Sequence, residues 1–267
     1  MRVISLGGGV QSTAMVVLAV QGELDAEIAL FANVGDDSEH PDTLDYVAEV
    51  LEPWAASQGF TIRQLRREFT RGDHVGQTLS ILQYQALSKR SIVIPARMSN
   101  GAPGNRSCTV DWKIRVVGRW LREHGATPDN PAEVCIGFST DEIQRVSGRQ
   151  PSKYQISTYP LLDLGLNRAD CMRVIADAGL PVPPKSACWF CPFTTPQRWA
   201  EMRRDTPDLF NAAQAVEDML NTKRAHIGKD DVFLTRFGKR LSESIGEAQP
   251  ALFTSDDGVC DDGYCFV

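Results

Sequence analysis

The chain has 267 residues, 42% of them hydrophobic and 23% charged, with a formal net charge of −6 at pH 7. This is the composition of a folded globular protein and excludes a low-complexity or disordered chain. No apolar run reaches the roughly 20 residues that cross a bilayer. The apolar stretch Met15–Val20 is short and follows a Gly-rich turn, unlike a secretory leader, so a cytoplasmic protein without a membrane span is expected.

In chain order, Arg2–Leu6 reads as a short buried strand. Gly7, Gly8 and Gly9 follow, then a helix from about Ser12 to Gln21 with Ser12 as its N-cap. Glu27–Asn33 reads as a second strand ending in the polar loop Val34–Pro41. Thr43–Ala56 carries Leu44, Val47, Val50, Leu51 and Trp54 at helical spacing, and Phe60–Leu65 reads as a third strand. This β-α-β-α-β order favours a parallel sheet with helices on its faces. Residues 66–108 are less regular. Beyond them come helix Lys113–Arg122, strand Glu133–Phe138, helix Arg168–Ala178 and the amphipathic helix Asp208–Asn221. The expected organisation is an α/β domain over 1–195, a helical region over 196–254 and an acidic, cysteine-containing tail over 255–267.

Charge is unevenly spread. Residues 1–60 hold one basic against ten acidic side chains, and residues 61–124 hold twelve against four. The basic stretch suits an anion or nucleic-acid surface, or balances the acidic first segment within the molecule; aromatic residues are sparse within it.

The junction S-L-G-G-G-V-Q-S-T-A (Ser5–Ala14) places a glycine turn between a strand and a helix. Such a turn can offer backbone N–H groups to phosphate, reinforced by the helix dipole. Ser5, Ser12 and Thr13 add hydroxyls. The stretch contains neither G-x-G-x-x-G nor a G-K-[ST] ending, so a tight turn without a ligand remains the alternative.

Six segments, in order, resemble the adenine-nucleotide α-hydrolase (PP-loop) superfamily, in the branch that includes phosphoadenosine-phosphosulfate reductases. Ser5–Ala14 resembles the pyrophosphate loop S-G-G-x-D-S. Phe31–Thr43 (FANVGDDSEHPDT) resembles F-x-x-T-G-x-E-x-P-E-T, and Arg106-Ser-Cys-Thr109 with Lys113 resembles R-x-C-T-x-x-x-K. Gly137–Arg145 (GFSTDEIQR) resembles G-x-R-x-x-E-S-x-x-R. Tyr159-Pro-Leu-Leu-Asp163 resembles the P-L-x-D/W start of a helix. Cys188-Trp-Phe-Cys191-Pro192 resembles the C-x-x-C-P iron–sulfur element. The likeness runs over about residues 1–200. It departs at Gln11, where the family's loop carries an acid, and in lacking the reductases' C-terminal E-C-G-[LI]-H motif.

The resemblance implies a Rossmann-like, HUP-type, doubly wound sheet and a nucleotide held by Ser5, Gly7, Gly8, Gly9, Gln11, Ser12, Thr13, Asn33 and Asp36. ATP with Mg²⁺ is the expected nucleotide. The implied reaction is adenylation of an acceptor, nucleotide or nucleic acid, followed by sulfur transfer. The alternatives are a sulfonucleotide reductase and a non-catalytic nucleotide-binding subunit with a structural metal.

The seven cysteines are not spaced as a disulfide framework. The two-residue gap of Cys188 and Cys191 lets both thiolates face one metal. With Cys108, brought near by the family pattern, they suit a [4Fe–4S] cluster, with Zn²⁺ or buried thiols as alternatives. Cys260, Cys265 and, less favoured, Cys171 are candidates for a fourth ligand. Cys135 and Cys171 read as core thiols. Cys260 and Cys265 are candidate catalytic thiols on a mobile arm, or part of a disordered end. Arg145 matches the last arginine of the family's G-x-R-x-x-E-S-x-x-R segment and is a candidate catalytic residue; with Arg149 four residues on, a helix would present two guanidiniums on one face, suited to phosphate, or a solvated charged face. Asp36, Asp37, Glu39 and Asp42 would serve ribose hydroxyls, Mg²⁺ or a helix cap. Asp141 and Glu142 read as ion-pair partners. Arg106 and Lys113 would lower the Cys108 thiol pKa, grip phosphate or carry surface charge. Expected partners are a nucleotide substrate, with a nucleic acid, a sulfur-donor protein and a homodimer left open.

Overall fold

The computed structural model describes residues 1–88, 92–146 and 150–246. In chain order the elements are β1 (Arg2–Leu6), α1 (Val10–Val20), β2 (Ile28–Ala32), α2 (Pro41–Asp45), α3 (Glu52–Ser57), β3 (Ile62–Leu65), α4 (Ile81–Leu87) and α5 (Arg115–Glu123). There follow β4 (Ala132–Cys135), β5 (Gln155–Thr158), α6 (Pro160–Asp163), α7 (Arg168–Asp177), α8 (Pro196–Asp205), α9 (Pro207–His226) and α10 (Leu241–Ser244). Wide π-type turns, Tyr46–Leu51 and Thr109–Ile114, join α2 to α3 and lead into α5. A tight 3₁₀ turn, Thr140–Arg145, follows β4.

The five strands form one sheet in the order β3-β2-β1-β4-β5, every neighbouring pair parallel. The fold is therefore α/β, as expected. Side chains alternate between faces along each strand. Ile4, Leu6, Ala29, Phe31 and Cys135 point to one face, where they pack with Val10, Met15, Val17, Val47, Leu51 and Ile175 from α1, the α2–α3 segment and α7. Val3, Leu30, Ala32 and Val134 point to the other, where Val117 and Leu121 of α5 cover them. β1 pairs with β2 on one side and β4 on the other, so the strand order reverses there. The crevice beyond the carboxyl ends of β1 and β4 is the topological switch point, where ligands of open parallel sheets bind.

Backbone contacts divide the chain into two compact units, Met1–Thr78 with Asp111–Ser186, and Leu79–Val110 with the chain from Ala187 on. The boundary drawn from sequence at residue 195 does not coincide with this division: 79–110 leaves the sheet unit and rejoins the chain after 187. The reason lies inside the second unit. Arg97 N–H donates to Phe233 O and Phe233 N–H to Arg97 O, at 2.8 and 2.9 Å. The buried Arg97 guanidinium donates to Pro192 O through Nε and to Gly101 O, both at 3.0 Å. On α9, buried Asn221 exchanges hydrogen bonds with the backbone of Val232, and buried Glu217 accepts the N–H groups of Leu234 and Leu241, both at 2.8 Å. Trp199 of α8 packs edge-on against Phe210 of α9.

Three details depart from the sequence expectations. Helix α1 begins at Val10, with Gly9 rather than Ser12 as N-cap; Ser12 lies inside the first turn, its hydroxyl donating to Gly9 O and accepting from Gly7 N–H. The 3.6-residue period over 43–56 is interrupted by the π turn at 46–51. Strand β5 was hidden because Gln-Ile-Ser-Thr is a short edge strand, too polar to stand out from loop.

Candidate functional site

The glycine turn lies at the switch point. Gly8 has φ +77°, which L side chains rarely adopt, and a Cβ there would stand 2.8 Å from Thr43 Cγ2 and 3.3 Å from Val47 Cγ2. Both reasons demand glycine. The turn is tied at three points: Gly7 N–H to Ser12 Oγ at 3.1 Å, Thr13 N–H to Gly9 O at 3.0 Å, and Ser186 Oγ, which donates to Gly7 O. The loop after β4 meets α1 closely, for a Cβ on Gly137 would lie 3.1 Å from both Met15 Cε and Ser12 N. Gly137 and Ser186 belong to the site's construction; the sequence flagged Gly137 only as part of a segment and Ser186 not at all, since a lone serine carries no spacing signal.

Of the expected nucleotide residues, Gly7, Gly8, Gly9, Gln11, Ser12 and Thr13 are contiguous at this turn and the start of α1. Thr13 is fully buried, and its Oγ1 makes no hydrogen bond among the described residues. Ser5 lies back within the β1 ladder opposite Leu30. Asn33 and Asp36 come from the loop beyond β2: Asn33 is buried, accepts Gly35 N–H at 2.8 Å and donates to Asp36 Oδ1 at 3.0 Å. Arg66 also donates to Asp36 Oδ1, at 2.5 Å, and this bond, followed by that from Asn33, holds the Asp36 carboxyl below its ordinary pKa. In the same loop His40, rather than an acid, caps α2 by accepting from Asp42 N–H. Glu39 is fully buried; Lys113 Nζ lies 3.8 Å from its Oε2, and neither carboxylate oxygen makes a hydrogen bond among the described residues. A buried carboxylate beside a lysine is costly to maintain; the structure pairs two residues that the sequence offered separately, Glu39 of the acidic loop and Lys113 of the Arg106–Lys113 segment.

Gln11 is held from two sides. Its Nε2 donates to Glu142 Oε2 at 3.2 Å, and its Oε1 accepts from Arg168 at 3.3 Å. Glu142 in turn pairs with Arg145, and Asp141 accepts the Arg168 N–H at 2.6 Å, so both acids are ion-pair or hydrogen-bond partners as expected. Arg145 is buried over the Phe138 ring, 4.5 Å from its centroid. Burial works against its charge and lowers its pKa, while Glu142 works the other way. Arg168, at the first position of α7 behind the Asn167–Asp170 capping box, was not anticipated. Arg149 lies outside the described residues.

The cysteines separate by environment. Cys135 and Cys171 are buried in the sheet unit. Burial pushes both thiols up, Cys171 to about 12, so they stay neutral and unreactive. Cys108, Cys188 and Cys191 are half-buried, outside any disulfide, and all in the second unit. Cys191 N–H donates to Cys188 O at 3.0 Å, closing the turn between them. Arg106, two residues before Cys108, places its guanidinium 5.2 Å from the Phe193 ring centre, two residues after Cys191. The structure thus brings the Arg106–Cys108 segment and the Cys188–Phe193 turn together. Among the described residues no three His, Cys, Asp or Glu side chains stand in metal-holding positions. Soft, accessible thiols on one turn plus one neighbouring segment fit a thiophilic metal by donor chemistry. Cys260 and Cys265 lie outside the described residues.

Comparison with protein-family models, curated proteins and solved structures returns no match. No helix among the described residues is long and apolar enough to cross a membrane.

Proposed function

We propose that the protein is an ATP-binding enzyme of the PP-loop type, with a HUP-type sheet, that adenylates an acceptor for sulfur transfer. The observation that carries this is the β1–α1 turn. It lies at the switch point with Gly8 in a conformation and packing that exclude any side chain, leaving backbone N–H groups at the start of an eleven-residue helix as the ligand-facing surface. Phosphates suit such a surface. Asn33 and Asp36, beyond the neighbouring strand, supply acceptors for ribose hydroxyls. Arg145 and Arg168, held beside Gln11, supply positive charge toward the phosphates, and Mg²⁺ would accompany the nucleotide.

In this reading an acceptor oxygen attacks the α-phosphorus of ATP and pyrophosphate leaves. The terminal sulfur of a donor persulfide then attacks the activated centre and AMP leaves; a second thiol attacks the mixed disulfide so formed, which frees the sulfurated acceptor and leaves a disulfide between that thiol and the donor. Cys108, Cys188 and Cys191 would hold a [4Fe–4S] cluster or Zn²⁺, which supplies a site for binding sulfur. Cys260 and Cys265 are candidate thiols for the transfer.

The test is incubation of anaerobically purified protein with α-labelled ATP, Mg²⁺ and candidate acceptors. AMP and pyrophosphate release supports the reading. Sulfite release from a sulfonucleotide, with ATP left intact, replaces it with reductase chemistry. Nucleotide binding without turnover of either leaves a binding subunit.

A further inference from the structure

The face of the sheet covered by α5 carries a cleft of about 720 Å³. It runs from Leu65 at the end of β3, along α5, to Gln155 at the start of β5. Its lining includes Arg66, Arg67, Arg71, Arg115, Arg119 and Arg122, against three acidic side chains. Those acids hold guanidiniums in place. Asp111 pairs with Arg67 and Arg115, and Arg119 bridges Glu68 at 3.2 Å and Glu123 at 2.7 Å. Arg67 further lies over the rings of Phe69 and Trp112, which meet at 72°, 4.1 Å from each centroid. Six guanidiniums therefore face three carboxylates of the lining, with Arg66 also paired to Asp36 outside it, on side chains that are largely pre-positioned.

Aromatic side chains border the cleft. Half-buried Trp120 lines the cleft and stacks on exposed His124 at 3.8 Å between centroids. Beside the β5 end, half-buried Tyr154 has Arg122 and Lys153 over its ring at 5.6 and 5.5 Å. At its other end the cleft reaches Arg66, the residue bonded to Asp36 beyond β2. The cleft thus leads to the carboxyl edge of the sheet where the glycine turn lies.

We propose that this cleft binds the phosphodiester backbone of a nucleic-acid strand. Arginine forks match phosphate oxygens, and a positively charged groove tracks a strand's backbone without regard to sequence. The inference names the acceptor surface of the reaction above and rests on that reading.

The experiment is fluorescence anisotropy of the full chain with labelled 20-nucleotide single strands, one DNA and one RNA, at several salt concentrations, with ATP binding measured in parallel. Three neutralised phosphates predict that affinity falls about 20-fold between 50 and 200 mM salt, from a slope of about −0.7 per contact. Arg71→Gln/Arg115→Gln/Arg122→Gln, all three exposed positions, should weaken strand binding at least about tenfold and leave ATP binding intact. The DNA and RNA arms show which sugar is preferred. Lack of binding by both strands, binding without salt dependence, or full binding by the folded triple variant overturns the proposal. So does a dimer that the triple variant dissociates, for the face would then be a subunit contact. If strands bind as expected but ATP is neither bound nor cleaved, the cleft stands and the adenylation reading falls.

Discussion

Replacing Gly8 by alanine tests whether the β1–α1 turn is built as described. The added Cβ would lie 2.8 Å from Thr43 Cγ2 and 3.3 Å from Val47 Cγ2, on a backbone at φ +77°. Holding an L residue in the left-handed region costs about 1–2 kcal/mol. Pressing a methyl into fully buried Thr43 and Val47 adds about 1–3 kcal/mol. The expected loss is therefore about 2–5 kcal/mol, a large part of the ~5–15 kcal/mol that holds a domain together. Gly9→Ala is the internal control. Gly9 has φ −102°, and a Cβ there would meet Ser186 Cβ at an ordinary 3.6 Å, so only a modest N-cap change of under about 1 kcal/mol is expected. Urea unfolding followed by circular dichroism reads both. With a slope near ~3 kcal/mol/M the Gly8→Ala midpoint should drop by roughly 0.7–1.7 M. Equal midpoints for the two variants would show that the turn is not packed against α2 as described.

Gln11→Glu should place a carboxylate against Glu142 in place of the 3.2 Å hydrogen bond, destabilising by about 1 kcal/mol; Gln11→Glu/Glu142→Gln should recover it, and a double-mutant-cycle coupling under about 0.5 kcal/mol refutes the contact. Glu217 has its pKa raised, chiefly by burial. The folded state therefore holds its proton more tightly than the unfolded chain, and this group's stabilising contribution is lost as pH rises above the ordinary value of 4.5 through the folded pKa. Urea unfolding at a series of pH values should show wild type losing stability relative to Glu217→Gln as pH rises through that window; a difference moving the other way refutes the assignment. Cys188→Ser should lower bound iron or zinc, measured by elemental analysis of anaerobically purified protein. Cys171→Ser, at a core thiol, should keep the wild-type metal content per folded chain, and equal loss in both variants would remove Cys188 from the ligand set.

Much of the sheet was legible locally. The apolar runs at Arg2–Leu6 and Glu27–Asn33 overlap β1 and β2, because a parallel strand buried on both faces must be apolar along its length. The helical spacing over Lys113–Arg122 and Asp208–Asn221 overlaps α5 and α9. Strand β5 was missed because an edge strand with polar side chains lacks that pattern, and α4 and α8 lie in stretches with weaker periodicity. At the site, the turn glycines, Asn33, Asp36 and the Cys188–Cys191 pair carry signals of residue type and spacing. Ser186 and Arg168 carry none; Glu39 and Lys113 each stood in a recognisable segment, but their pairing across 74 residues did not show in either.

The sequence by itself determined a parallel α/β chain with a glycine turn after its first strand, since hydrophobic period and backbone permissiveness are properties of neighbouring residues. Tertiary structure alone decided the rest. It placed the turn at the β1/β4 switch point, where strand order reverses, and it set Gln11 between Glu142 and Arg168, 131 and 157 residues away. It sorted the cysteines into neutral buried thiols and accessible ones, because burial is set by what packs around a side chain. It also laid Tyr154 and Lys153 beside Arg122 and gathered six arginines of the basic stretch along one cleft. These are relations between segments far apart in the chain, and no local pattern encodes them.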